Sequence, residues 1–111
     1  MQKKKAAKKS GERYVVIGAG SWCLWYGRIR ASDAEILKTK SARVYDCRHV
    51  RYWYGGTGGI TSLAAWGPCG PRVKESRIGA PCPSSLITDV RAVHECSPEA
   101  VTAFASIEAT R

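Results

Sequence analysis

Apolar residues fall in short runs broken by glycine and by charged or hydroxyl residues. Tyr14-Val15-Val16-Ile17 is β-branched and stops at Gly18-Ala19-Gly20-Ser21. Trp22-Cys23-Leu24-Trp25-Tyr26 follows, and two β-rich runs around a Gly-x-Gly-Ser turn predict a hairpin. Residues 31–34 are polar and read as a turn, and Glu35-Ile36-Leu37-Lys38 as a short strand. Between Ser41 and Trp53, Val44, Val50 and Tyr52 share one parity, whereas Tyr45, Cys47 and Trp53 share the other. That pattern predicts a strand buried in part on both faces, or bulged.

Gly55, Gly56, Gly58 and Gly59 then interrupt the chain, and glycines there permit left-handed backbone and close approach of a partner. A short helix follows: Thr61 or Ser62 as cap, Leu63–Trp66 as body, Gly67-Pro68 as stop. Residues 68–83 hold four of the five prolines and read as one long loop. Leu86–Cys96 is a further strand. Ser97-Pro98-Glu99 opens a C-terminal helix with a hydroxyl cap, proline at the first position and an early acid, and Val101, Phe104, Ala105 and Ile107 supply its apolar stripe. The sum is an α+β fold: a small twisted antiparallel sheet of four or five strands, a short helix after the glycine loop and a C-terminal helix.

With 111 residues, 44% hydrophobic and 24% charged, the chain supports one modest core. A two-domain enzyme and a long coiled coil are excluded by length and pattern, and no apolar run is long enough to span a membrane. The charge of +9 is uneven. Lys3, Lys4, Lys5, Lys8 and Lys9 crowd the start, so residues 1–13 read as a disordered basic tail and 14–111 as a single domain. Such a tail is either a solubilising face or an arm on the phosphates of nucleic acid. It is not a secretion signal, because Gly18, Gly20, Trp22 and Trp25 interrupt the apolar stretch after it.

Cys23, Cys47, Cys69, Cys82 and Cys96 form an odd, scattered set with no C-x-x-C pair, which reads as reduced, mostly buried thiols in a cytoplasm. His49 near Cys47 and His94 near Cys96 lack the two close ligand pairs of a structural zinc site, so no metal is expected. Gly18-Ala19-Gly20 begins like a dinucleotide fingerprint, but Cys23 replaces the third glycine and no helix pattern follows. No nucleophile, base and acid stand out together, so neither catalysis nor a cofactor is expected.

The informative stretch is Arg48-His49-Val50-Arg51-Tyr52-Trp53-Tyr54, in which cations and rings alternate before the glycine loop. Guanidinium groups grip phosphate and stack on bases, tyrosine and tryptophan offer π-faces, and glycine amides complete an anion cradle. Arg48, Arg51, Tyr52, Trp53, Gly55, Gly56, Gly58 and Gly59 are therefore expected to bind a phosphate-bearing ligand, a nucleotide or nucleic acid. Arg72 and Arg77, with Lys74 between them, would close over it from the long loop. Four tryptophans and five tyrosines exceed what one small core uses, and predict a homo-oligomer.

Three segments carry a resemblance: Arg51-Tyr52-Trp53-x-x-x-Thr57-Gly58-Gly59-Ile60-x-x-Leu63-Ala64-x-x-Gly67-Pro68, then Ser76-Arg77-Ile78-Gly79-Ala80, then Cys96-Ser97-Pro98-Glu99-Ala100. Over residues 14–105 the chain resembles a family of small phage-borne proteins of unassigned function. The resemblance implies a phage or prophage origin, a host-cytoplasm or virion location, and an accessory or structural role. By analogy with small β-rich phage proteins, it also raises sequestration of a host defence nucleotide signal.

Overall fold

The computed structural model describes residues 12–54 and 58–110. It is an α+β fold of six strands and three helices: β1 (Arg13–Ala19), β2 (Cys23–Ile29), α1 (Asp33–Thr39), β3 (Ser41–Tyr52), α2 (Ile60–Trp66), β4 (Arg77–Ile78), β5 (Cys82–Thr88), β6 (Val90–Glu95) and α3 (Pro98–Ser106), with a 3₁₀ turn at Val73–Glu75. The lysines of the leader, Lys3 to Lys9, lie outside the described residues. Glu12 and Arg13, expected in the leader, belong to the folded body: Arg13 opens β1, and Glu12 accepts from Arg28 at 2.7 Å and Arg30 at 2.9 Å.

The expected hairpin is β1–β2, in register from Arg13↔Ile29 to Ala19↔Cys23. Its turn uses positive φ at Gly20 and, unusually for a bulky residue, at Trp22. β3, the longest strand, pairs with three others. One of its edges pairs with β2; the other pairs with β5 through Ser41–Cys47 and with β4 through Val50–Tyr52. β6 pairs with β1.

Residues 35–38 form part of a helix, not a strand. The run is too short for periodicity to decide, and a capping box decides it: the Ser32 hydroxyl accepts from the Glu35 N–H, and the Glu35 carboxylate accepts from the Ser32 N–H. Lys40 ends α1 in the left-handed region. The stretch Leu86–Cys96 is also not one strand. Asp89, at φ 53°, bends it into β5 and β6, which pair with opposite edges of the sheet. One residue thus joins the two flanks, which requires the sheet to curl strongly. α2 begins at Ile60 with Gly59 as its N-cap and no side-chain cap, so neither Thr61 nor Ser62 caps it. α3 starts as read, with the Ser97 hydroxyl accepting from the Ala100 N–H and Pro98 in the first turn.

Burial on both faces explains the unbroken apolar run of β1. Val15, Ile17 and Ala19 point into a cluster with Ile29, Val44, Cys47, Ile87, Val90 and Ile36 of α1. Val16 points the other way, to Leu24, Tyr26, Val50, Ile78, Leu63 and Ala64 of α2, and Phe104 of α3. A bulge in β3, with Asp46 at φ 52°, shifts the parity so that Val44 and Cys47 share one cluster. Opposite it, Gly27 is obligatory for close approach: a Cβ there would lie 2.6 Å from the Val44 methyl and 2.7 Å from the Tyr45 carbonyl oxygen.

Candidate functional site

The end of β3, the 3₁₀ turn and β4 build an open cleft of about 450 Å³ lined by Tyr52, Tyr54, Lys74, Glu75, Ser76, Arg77 and Thr110. Tyr52 and Arg77 are direct cross-strand partners, which places both side chains on one face. The Tyr52 hydroxyl donates to the Tyr54 hydroxyl at 2.6 Å, and the two rings meet edge to face. The backbone that follows β3 is tied to the loop on two sides: the Tyr54 N–H donates to the Ser76 hydroxyl, and the Tyr54 carbonyl accepts from Cys69 N–H. On the far side Thr110 N–H donates to the Ile78 carbonyl, which lays the C-terminal segment along β4.

Charge in the cleft is unequally spent. Arg72 forks onto Glu75 at 2.7 and 3.0 Å, and its guanidinium stacks over the Tyr54 ring at 4.4 Å. The charge-assisted hydrogen bonds hold the Glu75 carboxyl below its ordinary range and lift the Arg72 guanidinium further. Lys74 and Arg77 have no carboxylate partner within salt-bridge distance among the described residues. The cleft therefore presents two uncompensated cations beside two phenol rings, a combination suited to a phosphate attached to a planar or apolar group.

Of the expected ligand residues, Tyr52 and Arg77 line the cleft, and Arg72 stands at its rim, held by Glu75 and Tyr54. Arg48 does neither: it is 6% exposed, and its guanidinium donates to the carbonyls of Gly79 (2.7 Å), Phe104 (2.6 Å) and Ile107 (3.2 Å). Arg48, expected to bind the ligand, instead closes the C-terminal end of α3, where a cation meets unpaired carbonyls. Arg51 is exposed, but it stands near His49 and not in the cleft. Trp53 packs half-buried against the α2–α3 cluster. Gly58 and Gly59 lead into α2 outside the cleft, and Gly55 and Gly56 lie outside the described residues. Nothing in the local sequence marks Ser76 or Thr110, which reach the cleft only through tertiary pairing.

Cys47 and Cys82 are cross-strand partners, and all five cysteines are free thiols. Burial pushes the Cys47 thiol up to about 11 and the Cys96 thiol to about 12. Among the described residues, no group of three or more His, Cys, Asp or Glu is placed to hold a metal ion, and no helix is long and apolar enough to cross a membrane.

Fold and cleft together define a small α+β protein with a cationic, aromatic-lined surface site. Residues 12–104 match the domain of unknown function DUF6948, and the chain belongs to that family. No curated protein and no solved structure matches the chain.

Proposed function

We propose that this protein binds a phosphate-bearing ligand, a nucleotide or nucleic acid, without transforming it, as an accessory protein of a phage or prophage acting in the host cytoplasm. The observation that carries the reading is the convergence of Lys74 and Arg77, both without carboxylate partners among the described residues, with Tyr52 and Tyr54 in one cleft. Binding is favoured over catalysis because Glu75, the one acid lining the cleft among the described residues, is committed to Arg72. Sequestration of a host defence nucleotide is the biological role this chemistry would serve. Trp22 and Trp66, each more than half exposed, support the further reading that the protein is a homo-oligomer.

A Lys74→Ala, Arg77→Ala variant tests the reading. Titration with a fluorescein-labelled oligonucleotide and with adenosine 5′-monophosphate should show at least about tenfold weaker binding of one or both than for the unaltered protein. Unchanged affinity for both would defeat it. A second reading, favoured by the five lysines of the first nine residues, is a virion protein whose N-terminal arm touches packaged nucleic acid or a neighbouring subunit. Deleting residues 1–11 separates the two: the arm reading requires lost nucleic-acid retention or assembly, whereas the cleft reading requires unaltered affinity for the mononucleotide.

A further inference from the structure

Behind the cationic cleft lies a second cavity, of about 400 Å³, lined by Pro68, Cys69, Val73, Lys74, Ser76, Ala103, Ser106, Ile107 and Glu108. It lies between the 3₁₀ turn and the C-terminal part of α3. Its walls are mostly apolar, from Pro68, Val73, Ala103 and Ile107, whereas the first cleft is dominated by charged and hydroxyl groups. Lys74 and Ser76 line both.

Ser76 is the notable member of the shared wall. It is 6% exposed, and its hydroxyl oxygen accepts from the Tyr54 N–H at 3.0 Å. A hydroxyl carries one proton as well as its lone pairs, and the clefts that Ser76 lines on both sides leave that proton free for water or for a ligand atom. Lys74, on the same wall, offers a mobile cation to an anion on either side.

Resting on the phosphate-binding reading above, we infer that the two cavities form one bipartite site for a small phosphate monoester carrying a planar or apolar moiety, such as a nucleoside monophosphate, rather than for a polymer. The phosphate sits between Lys74 and Arg77 against Tyr52 and Tyr54. The ester or sugar oxygen meets the Ser76 hydroxyl at the junction. The apolar part enters between Val73 of the 3₁₀ turn and Ala103 and Ile107 of α3. Polar positioning at one end and burial of an apolar surface at the other is the usual division of labour in small-molecule sites.

The experiment is calorimetric titration of the full chain with three probes: inorganic phosphate, adenosine 5′-monophosphate and a short oligothymidylate. The unaltered protein should bind the mononucleotide at least about tenfold more tightly than inorganic phosphate, because only the former buries a ring. Val73→Asn, which places a neutral amide among the apolar walls and adds no charge beside Lys74, should remove that advantage and leave the phosphate affinity within about twofold. Ala103→Leu, which fills the same compartment with an apolar group, should do likewise and replaces Val73→Asn if circular dichroism shows that variant unfolded. Equal affinity for phosphate and mononucleotide, or a mononucleotide advantage that survives both substitutions, overturns the bipartite site. Preference for the oligothymidylate over the mononucleotide also overturns it while leaving the phosphate-binding reading intact. Failure of that reading has a different signature: Lys74→Ala, Arg77→Ala binds every probe as the unaltered protein does.

Discussion

Arg48 shows how a single side chain changes role when its partners are distant in sequence. Read locally, it heads an alternation of cations and rings and is expected to grip phosphate. In the fold its three acceptors, Gly79, Phe104 and Ile107, lie 31, 56 and 59 residues away, so no window of the sequence contains the deciding fact. Arg48→Met keeps much of the stem but leaves these carbonyls without their donor. The expected cost is about 2–4 kcal/mol, read from denaturant midpoints, since groups orphaned by loss of a charged partner are expensive. His49, its neighbour, stacks on Trp25 with ring centroids 4.4 Å apart. Burial, with the Arg51 charge second, holds its imidazole below the ordinary 6.5. The unfolded chain therefore binds a proton that the folded one refuses, and stability rises with pH through that range. The His49 contribution is present in full above pH 6.5 and declines as the pH falls toward the lowered folded value. His49→Phe retains a ring against Trp25 and should flatten that part of the thermal-midpoint profile between neutral and mildly acidic pH.

At the scale of elements, legibility followed the reach of each signal. The β1–β2 hairpin and α3 were readable because turn glycines and the Ser97-Pro98 start act within a few residues. The capping box of α1 is equally local, with Ser32 and Glu35 three apart, but the two apolar residues Ile36 and Leu37 between Glu35 and Lys38 carry no period that separates helix from strand. β4 was hidden in a proline-rich loop, because two residues carry no periodicity and its pairing with Val50 and Tyr52 is non-local. The lower half of the cleft was hidden for the same reason. The β3–β5 pairing also places Cys47 opposite Cys82, which spacing alone did not show. Directly opposed residues on antiparallel strands stand at a separation that a disulfide spans. Burial holds the Cys47 thiol up at about 11, so diamide at alkaline pH should link these two slowly, lowering the titre from five to three, with peptide mapping placing the link. A different intramolecular cross-link in the folded protein would contradict the register.

On the whole-molecule scale, the α+β class was legible because the order of β-rich runs and helix starts admits one sheet with helices packed on it. What sequence could not supply was curvature. An unbroken stretch from Leu86 to Cys96 gives no sign that Asp89 hands the chain from one flank of the sheet to the other. The same bend explains why apolar residues of β1 are buried on both faces: the curled side and the α2–α3 side each need a wall. The cationic cleft sits at the opposite end of β3 from that bend, where β4, the 3₁₀ turn and the C-terminal segment at Thr110 hold it. Its chemistry is thus carried by pieces too short to fold by themselves and depends on the sheet behind them.

The bent strand also sets an order of events during synthesis. β1 lacks its second neighbour until β6 arrives, and Arg13 meets Glu95 across 82 residues. Such distant closure is slow compared with hairpin formation. A ribosome must accordingly release the chain through β6 before the first strand is flanked on both sides, so nascent chains stalled before Val90 will leave that edge open to chaperones or to one another.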